Sequence, residues 1–212
     1  MRGVFITLEG SEGSGKTTQT YRLAERLRTL GYEVVVTREP GGTHTGEAIR
    51  SILQHEGVDE QMFAETEALL FMASRAQLVR GVILPALERG ACVVCDRFAD
   101  STTAYQGYGR GFDIEKILSI NTFAADGAVP DLTILLDIDV KVGFGRLQKR
   151  NVEKNTVHDR IEQEDMFFHE KVRTGYLEMA KRWPERFRVI DGDRDPNTVE
   201  AEIWESVKEK FL

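Results

Sequence analysis

Residues 10–17 read Gly10-Ser11-Glu12-Gly13-Ser14-Gly15-Lys16-Thr17, directly after the apolar run Val4-Phe5-Ile6-Thr7-Leu8. This is a complete G-x-x-x-x-G-K-[ST] phosphate-binding loop, and its surroundings suit it. The run before it has strand character. The segment after it, Thr18 to Leu30, has helical spacing. Glycines let the backbone curl until its N–H groups converge on phosphate oxygens. The following helix adds the positive end of its dipole. Lys16 can reach the outer phosphates, and the Thr17 hydroxyl can face a magnesium ion. A solvated glycine-rich turn would need none of this order. The motif therefore implies a nucleoside triphosphate as ligand, with Gly10, Ser11, Glu12, Gly13, Ser14, Gly15, Lys16, Thr17 and Thr18 around it.

The rest of the chain predicts what carries that loop. Apolar runs with strand character are Val4–Leu8, Val34–Thr37, Cys92–Cys95, Leu132–Leu136 and Phe187–Ile190. Between them lie helical patterns at Lys16–Leu30, Glu47–Gln54, Ala64–Leu87, Ile114–Ala125, Val140–Lys149, Phe167–Trp183 and Thr198–Phe211. The alternation predicts an α/β fold, a mostly parallel five-stranded sheet with helices on both faces. At 212 residues, with no repeat and no linker, residues 1–212 read as a single domain. Pro85 predicts an irregularity late in its helix.

Composition narrows the partners. Net charge is −7, which argues against sequence-independent nucleic-acid binding. No apolar stretch approaches membrane-spanning length, and the N-terminus lacks a signal-peptide layout, so the expected location is the cytoplasm. Cys92 and Cys95 are spaced C-x-x-C, but no second pair exists. They are expected to be buried thiols on opposite faces of a strand rather than half a zinc site.

Further motifs separate the kinds of phosphate-loop protein. No guanine-reading Asn-Lys-x-Asp is present. A small kinase needs an acceptor site with its own arginines. Candidates are Arg38-Glu39-Pro40-Gly41-Gly42-Thr43, Arg50, Phe71 with Arg75, and Asp96-Arg97-Phe98. Two of these groups, Arg38 to Thr43 and Asp96 to Phe98, fall at or just after strand ends, where open α/β sheets bind ligands. The stretch Arg146 to Arg160 is polar and locally basic. It reads either as a solvated connection or as a mobile lid.

Together these motifs resemble the thymidylate kinases. The resemblance lies in Asp96-Arg97-Phe98-Ala99-Asp100-Ser101-Thr102-Thr103-Ala104-Tyr105-Gln106, Arg38 to Thr43, Phe71-Met72-Ala73-Ser74-Arg75 and the phosphate loop, in that family's order and spacing. It covers essentially the whole chain. It implies a P-loop NTPase fold of the nucleoside monophosphate kinase kind, and transfer of the γ-phosphoryl group of ATP to dTMP with Mg²⁺, a step in dTTP biosynthesis.

Roles follow by resemblance. Phe71 would stack on thymine and Arg75 would donate to its O4. Read without the family, Phe71 could equally be core, and Arg75 a surface ion pair. Thr102 and Gln106 match base-contacting positions. Tyr105 matches the ring beneath the sugar. Glu39 and Pro40 belong to the dTMP side. Arg97 and Arg50 would hold the acceptor phosphate, with Arg97 also reaching the donor. Asp96 would orient Arg97 or a magnesium-bound water, so Thr17 and Asp96 are the expected Mg²⁺ ligands.

By the same resemblance Glu12, an acidic residue in the phosphate loop, would face the 3′-hydroxyl of dTMP or the ion network beside it, and it matches members whose loop lacks an arginine and whose lid is basic. Here Arg146, Lys149, Arg150, Lys154 and Arg160 populate the segment of about 146–160, and Arg146 and Arg150 are the expected catalytic lid arginines. The apolar surface of the 64–87 helix, together with the resemblance, predicts a homodimer, with Val79 and Ile83 expected at its interface. A kinase for another nucleoside monophosphate or deoxynucleoside, or a catalytically silent nucleotide-binding module, are the alternatives.

Overall fold

A computed structural model describes residues 2–54, 61–154 and 159–211. The strands are β1 (Phe5–Glu9), β2 (Val34–Arg38), β3 (Cys92–Asp96), β4 (Leu132–Asp137) and β5 (Phe187–Asp191). They form one sheet in the order β2-β3-β1-β4-β5, and every neighbouring pair is parallel. The helices are α1 (Lys16–Thr29), α2 (His44–Gln54), α3 (Ala64–Leu78), α4 (Leu84–Glu88), α5 (Ala99–Thr102), α6 (Ile114–Ala125), α7 (Val140–Lys154), α8 (Met166–Arg182) and α9 (Pro196–Phe211).

Two apolar layers sandwich the sheet. On one side Leu23 and Leu27 of α1 and Ile203, Trp204 and Val207 of α9 pack on Ile6, Leu8, Cys92 and Ile134. On the other, Leu78, Val79, Ile83 and Leu87 pack on Phe5, Val93 and Cys95. The two cysteines thus join opposite layers, and both are free thiols. Burial pushes the Cys92 thiol up to about 11 and the Cys95 thiol well above its usual value.

The 64–87 helix is not one regular helix. A π-helical turn, Val79–Ile83, joins α3 to α4, just ahead of Pro85. The wider turn lets Leu78, Val79 and Ile83 all bury fully. This corrects the expectation that Val79 and Ile83 lie at a dimer interface: both belong to the chain's own core. Exposed apolar residues include Phe63 and Leu69 near the start of α3 and Ile120 and Phe123 of the neighbouring α6. A second correction concerns length. Ala64–Glu88 is, by length and composition alone, long and apolar enough to cross a membrane. In the fold it packs along the sheet, and the Glu67 and Arg75 side chains it carries are ion-paired and buried.

Strand ends put polar groups on one edge. All five strands finish on a charged residue: Glu9, Arg38, Asp96, Asp137 and Asp191. The ladder continues through these residues, with Arg38 opposite Asp96 and Asp137 opposite Asp191. At this edge open α/β sheets take their ligands.

Candidate active site

The phosphate loop leaves β1 and enters α1 at Gly15, whose left-handed φ of 91° begins the helix. Gly13, at φ 71°, presses its Cα side against α7. A Cβ there would lie 2.3 Å from the Gly143 carbonyl oxygen, so only glycine lets the loop sit this close. Lys16 folds back over the loop and donates to the Ser11 carbonyl at 2.7 Å and to Ser14 Oγ at 3.2 Å. Burial, followed by the nearby Arg97 charge, lowers its pKa to about 8. Thr17 Oγ1 donates to Asp96 Oδ2 at 2.5 Å, bringing the end of β3 to the start of α1.

Arg97 follows β3 with φ 71°, a left-handed backbone unusual for a side chain of this size. Such a conformation costs about 1–3 kcal/mol and persists where surrounding bonds enforce it. The enforcing group here is Glu9. Its carboxyl accepts the Phe98 N–H at 2.7 Å, Ser101 Oγ at 2.6 Å and Tyr176 Oη at 2.9 Å. Burial and then the charge of Asp100 raise Glu9 to about 7. The Arg97 guanidinium donates to Glu12 at 2.7 Å, to Tyr105 Oη at 3.1 Å and to the Gly10 carbonyl at 3.0 Å. Glu12 also accepts from Tyr105 at 2.8 Å. Burial works against the Glu12 carboxylate, but Arg97 and then Lys16 outweigh it and hold the group down at about 2. An acidic residue in a phosphate cradle is therefore neutralised in place.

From this knot the cavity, about 840 Å³ in volume, runs away from the phosphate loop between α3 and the helix after β3. Phe71 and Arg75, one helical turn apart on α3, both line it. Phe71 is half-buried at the wall and is not core. Arg75 is 1% exposed and not a surface pair. It donates to both Glu39 oxygens, the shorter contact being 2.5 Å, to Asn121 Oδ1 at 2.6 Å and to Thr102 Oγ1 at 2.9 Å. Four of its five N–H groups are thereby engaged, and one on Nη1 has no described partner. Burial raises the Glu39 pKa against the opposing pull of Arg75. Arg50 donates to the Pro40 carbonyl at 3.0 Å and stands at the same wall.

The 102–106 stretch continues from α5 as a π-helical segment, Thr103–Gly109. The wider turn puts Thr102 and Gln106 on the cavity side with Tyr105.

Basic residues of the 146–160 segment take separate places. Arg146 donates to the Gly192 carbonyl and to Asp193, both at 2.8 Å, beyond the end of β5. Arg150 pairs with Glu162 at 2.8 Å, and Arg160 with Glu67 at 2.5 Å. Residues 155–158 of the expected lid segment lie outside the described residues. What reads as a solvated connection after Lys149 is helical through Lys154. Arginine and lysine are good helix formers, and α7 simply runs on.

Sequence reasoning missed Glu9, Glu67, Asn121 and Tyr176 as parts of this region. Glu67 carried a signal: it lies four residues before Phe71 and eight before Arg75, on the same face of the helix. Asn121 and Tyr176 reach the site from α6 and α8, and no local pattern marks them.

Thr17 and Asp96 offer two hard oxygen donors side by side. No group of three or more ligating side chains occurs among the described residues. The pair Thr17 and Asp96 fits Mg²⁺, which binds through one or two protein oxygens and takes the rest from phosphates and water.

Comparison with known proteins agrees with the geometry. The thymidylate kinase family model matches residues 8–203. The thymidylate kinase of Deinococcus radiodurans is 48% identical over 209 residues, covering 99% of this chain and 98% of its own. That of Geobacter sulfurreducens is 52% identical over 192 residues, 90% of each chain. The crystal structure of thymidylate kinase from Ehrlichia chaffeensis superposes with a TM-score of 0.78 at 36% identity, over 98% of this chain and 99% of that one. The chain belongs to the thymidylate kinase family.

Proposed function

We propose that the cavity is the centre in which this family member moves the γ-phosphoryl group of ATP to dTMP, with the roles given below. The chain is a phosphotransferase, and the reaction yields dTDP on the way to dTTP. The observation that carries the reading is one continuous cavity. It has the phosphate loop at one end, Phe71 and Arg75 at the other, and Arg97 between them.

In this reading residues 10–18 cradle the triphosphate. Lys16 exchanges the Ser11 carbonyl for a phosphate oxygen. Arg97 and Arg50 hold the acceptor phosphate, and Arg97 is held at the junction by Glu12 and Tyr105. Thymine stacks on Phe71, and the remaining Arg75 N–H donates to its O4. Thr102 and Gln106 border the base, and Tyr105 lies under the sugar. Glu39 and Pro40 back the arginines. Thr17 and Asp96 would hold Mg²⁺, which would offset phosphate charge when bound. The acceptor phosphate oxygen is already anionic, so no general base is required. Positioning, charge neutralisation and exclusion of water do the work.

Arg146 and Arg150 both line the cavity and are the lid arginines that reach the phosphates, Arg146 by leaving Gly192 and Asp193. The reading treats the whole chain as one kinase domain working in the cytoplasm. It also includes a two-fold homodimer through the 64–87 helix. Leu69 and the neighbouring Phe123, 57% and 79% exposed, supply an apolar face beside the helix that carries the base-binding residues. An ADP-release assay comparing dTMP with other nucleoside monophosphates tests the reading. ADP formed equally with all acceptors, or with none, would overturn it.

A further inference from the structure

Glu67 is 1% exposed, on the face of α3 that also presents Phe71 and Arg75. Three residues from elsewhere in the chain donate to it. Arg110 binds it through Nε at 3.1 Å and Nη2 at 2.9 Å. Arg160 reaches it through Nη2 at 2.5 Å. Gln106 Nε2 reaches Oε1 at 2.8 Å. Burial alone would push the carboxyl up, but the hydrogen bonds from Arg110 and Gln106 hold it below its usual range. Paired with two guanidinium groups, it is a carboxylate.

A carboxylate can only accept hydrogen bonds. The Gln106 amide therefore has one way to face it, amino end toward Glu67. Its carbonyl oxygen is the end left for a ligand in the cavity that Gln106 lines, and no described residue donates to that oxygen. An amide with a free choice of orientation could serve a donor or an acceptor. This one serves a donor.

We propose that Glu67 is a specificity-determining positioning residue: by fixing the Gln106 amide, it presents an acceptor oxygen to the pairing edge of the bound base. Thymine and uracil carry an N–H at ring position 3, which that oxygen accepts. Cytosine carries a lone pair there, which it repels. Arg75 reads the neighbouring oxygen, so two contacts reject cytosine independently. The inference rests on the base lying against Phe71 and Arg75, as proposed above.

The test measures Kd for dTMP, and for dCMP as a competitor, in the full-length protein and in Glu67→Gln, Glu67→Asp and Gln106→Met. The Glu67→Gln side chain can donate or accept, so the Gln106 amide is no longer fixed. The preference for dTMP should drop roughly tenfold, the scale of one hydrogen bond, while ATP affinity stays as it was. Gln106→Met should lose as much preference. Combining it with Glu67→Gln should lose no more than either alone, because both remove the same contact. Glu67→Asp keeps the charge for both arginines but draws the acceptor back. It should lose part of the preference, and it decides the matter if Glu67→Gln does not fold. An unchanged preference in Gln106→Met or Glu67→Asp, or additive losses in the double variant, overturns the proposal. A starting protein that does not prefer dTMP to dCMP would instead overturn the placement of the base.

Discussion

The two ends of the cavity treat charge differently. At the base end, charges are sealed against one another. Arg75 and Glu39 have side chains 1% and 3% exposed, and Glu67 lies 1% exposed beneath Arg110 and Arg160, whose own side chains are 16% and 19% exposed. At the phosphate end, Arg97 and Glu12 are 16% and 18% exposed, and Lys16 is held only by a hydroxyl and a backbone carbonyl. A sealed pair cannot separate without stranding a charge in low dielectric, so the base end is set before ligand arrives. Neutral partners can be exchanged for phosphate oxygens at modest cost, so the phosphate end is built to be rearranged. Selectivity and turnover should thus depend on different kinds of contact, and substitutions should show it.

The largest effect belongs to the phosphate end. Lys16→Ala should cut kcat by about a thousandfold, the upper range for losing one preorganised group that stabilises transferring charge. Its melting temperature should stay close to the parent's, because Glu12 keeps its ion pair with Arg97 when Lys16 is lost. Steady-state kinetics with a melting curve check both halves.

Arg75→Ala should behave in the opposite way. It strands Glu39, and breaking such a pair costs about 3–5 kcal/mol of stability. Binding of dTMP should weaken as well, while ATP binding is spared. Adding Glu39→Gln should return part of the stability without returning dTMP affinity. Denaturant unfolding and calorimetry separate the two. Equal weakening of ATP and dTMP would erase the distinction between the ends.

Assembly gives an intermediate effect. Leu69→Glu or Phe123→Glu should leave the fold intact, since both side chains face outward, and should shift the protein to monomers in sedimentation. If the dimer steadies α3, the Michaelis constant for dTMP should rise several-fold and that for ATP should not. A variant that stays dimeric would show that another surface mediates association.

The smallest effect is one of pH. Lys16 has its pKa lowered to about 8 in the free site, and bound phosphate favours its charged form. ATP binding should therefore take up a proton near pH 8, and affinity should fall as pH rises above that value. Calorimetry in two buffers of different ionisation enthalpy reads the proton directly. No uptake would mean Lys16 is already fully charged without ligand.

Much of this was legible in the sequence, and the gaps have physical causes. Strand patterns located all five strands, yet each expectation stopped one residue short. The last residue of every strand is charged, and apolar periodicity ends where the ladder does not. Those same residues, Glu9 and Asp96 among them, sit at the edge that builds the site. The phosphate loop was legible because its chemistry is local. The π-helical turns were not, because 3.6-residue spacing averages over one inserted residue, and so Val79 and Ile83 were expected on the wrong face. Partners such as Glu39 for Arg75 and Glu67 for Gln106 lie 36 and 39 residues apart. Sequence shows that a charge is present, whereas only the fold shows what neutralises it.

The central claim is that a base end fixed by buried ion pairs selects thymidylate before any phosphate moves. Its most direct test is ADP release at equal acceptor concentration with dTMP, dUMP, UMP and dCMP. Release should be fastest with dTMP, lower with dUMP, lower again with UMP because its ribose hydroxyl meets Tyr105, and slowest with dCMP. Turnover of dCMP at the rate of dTMP would contradict it.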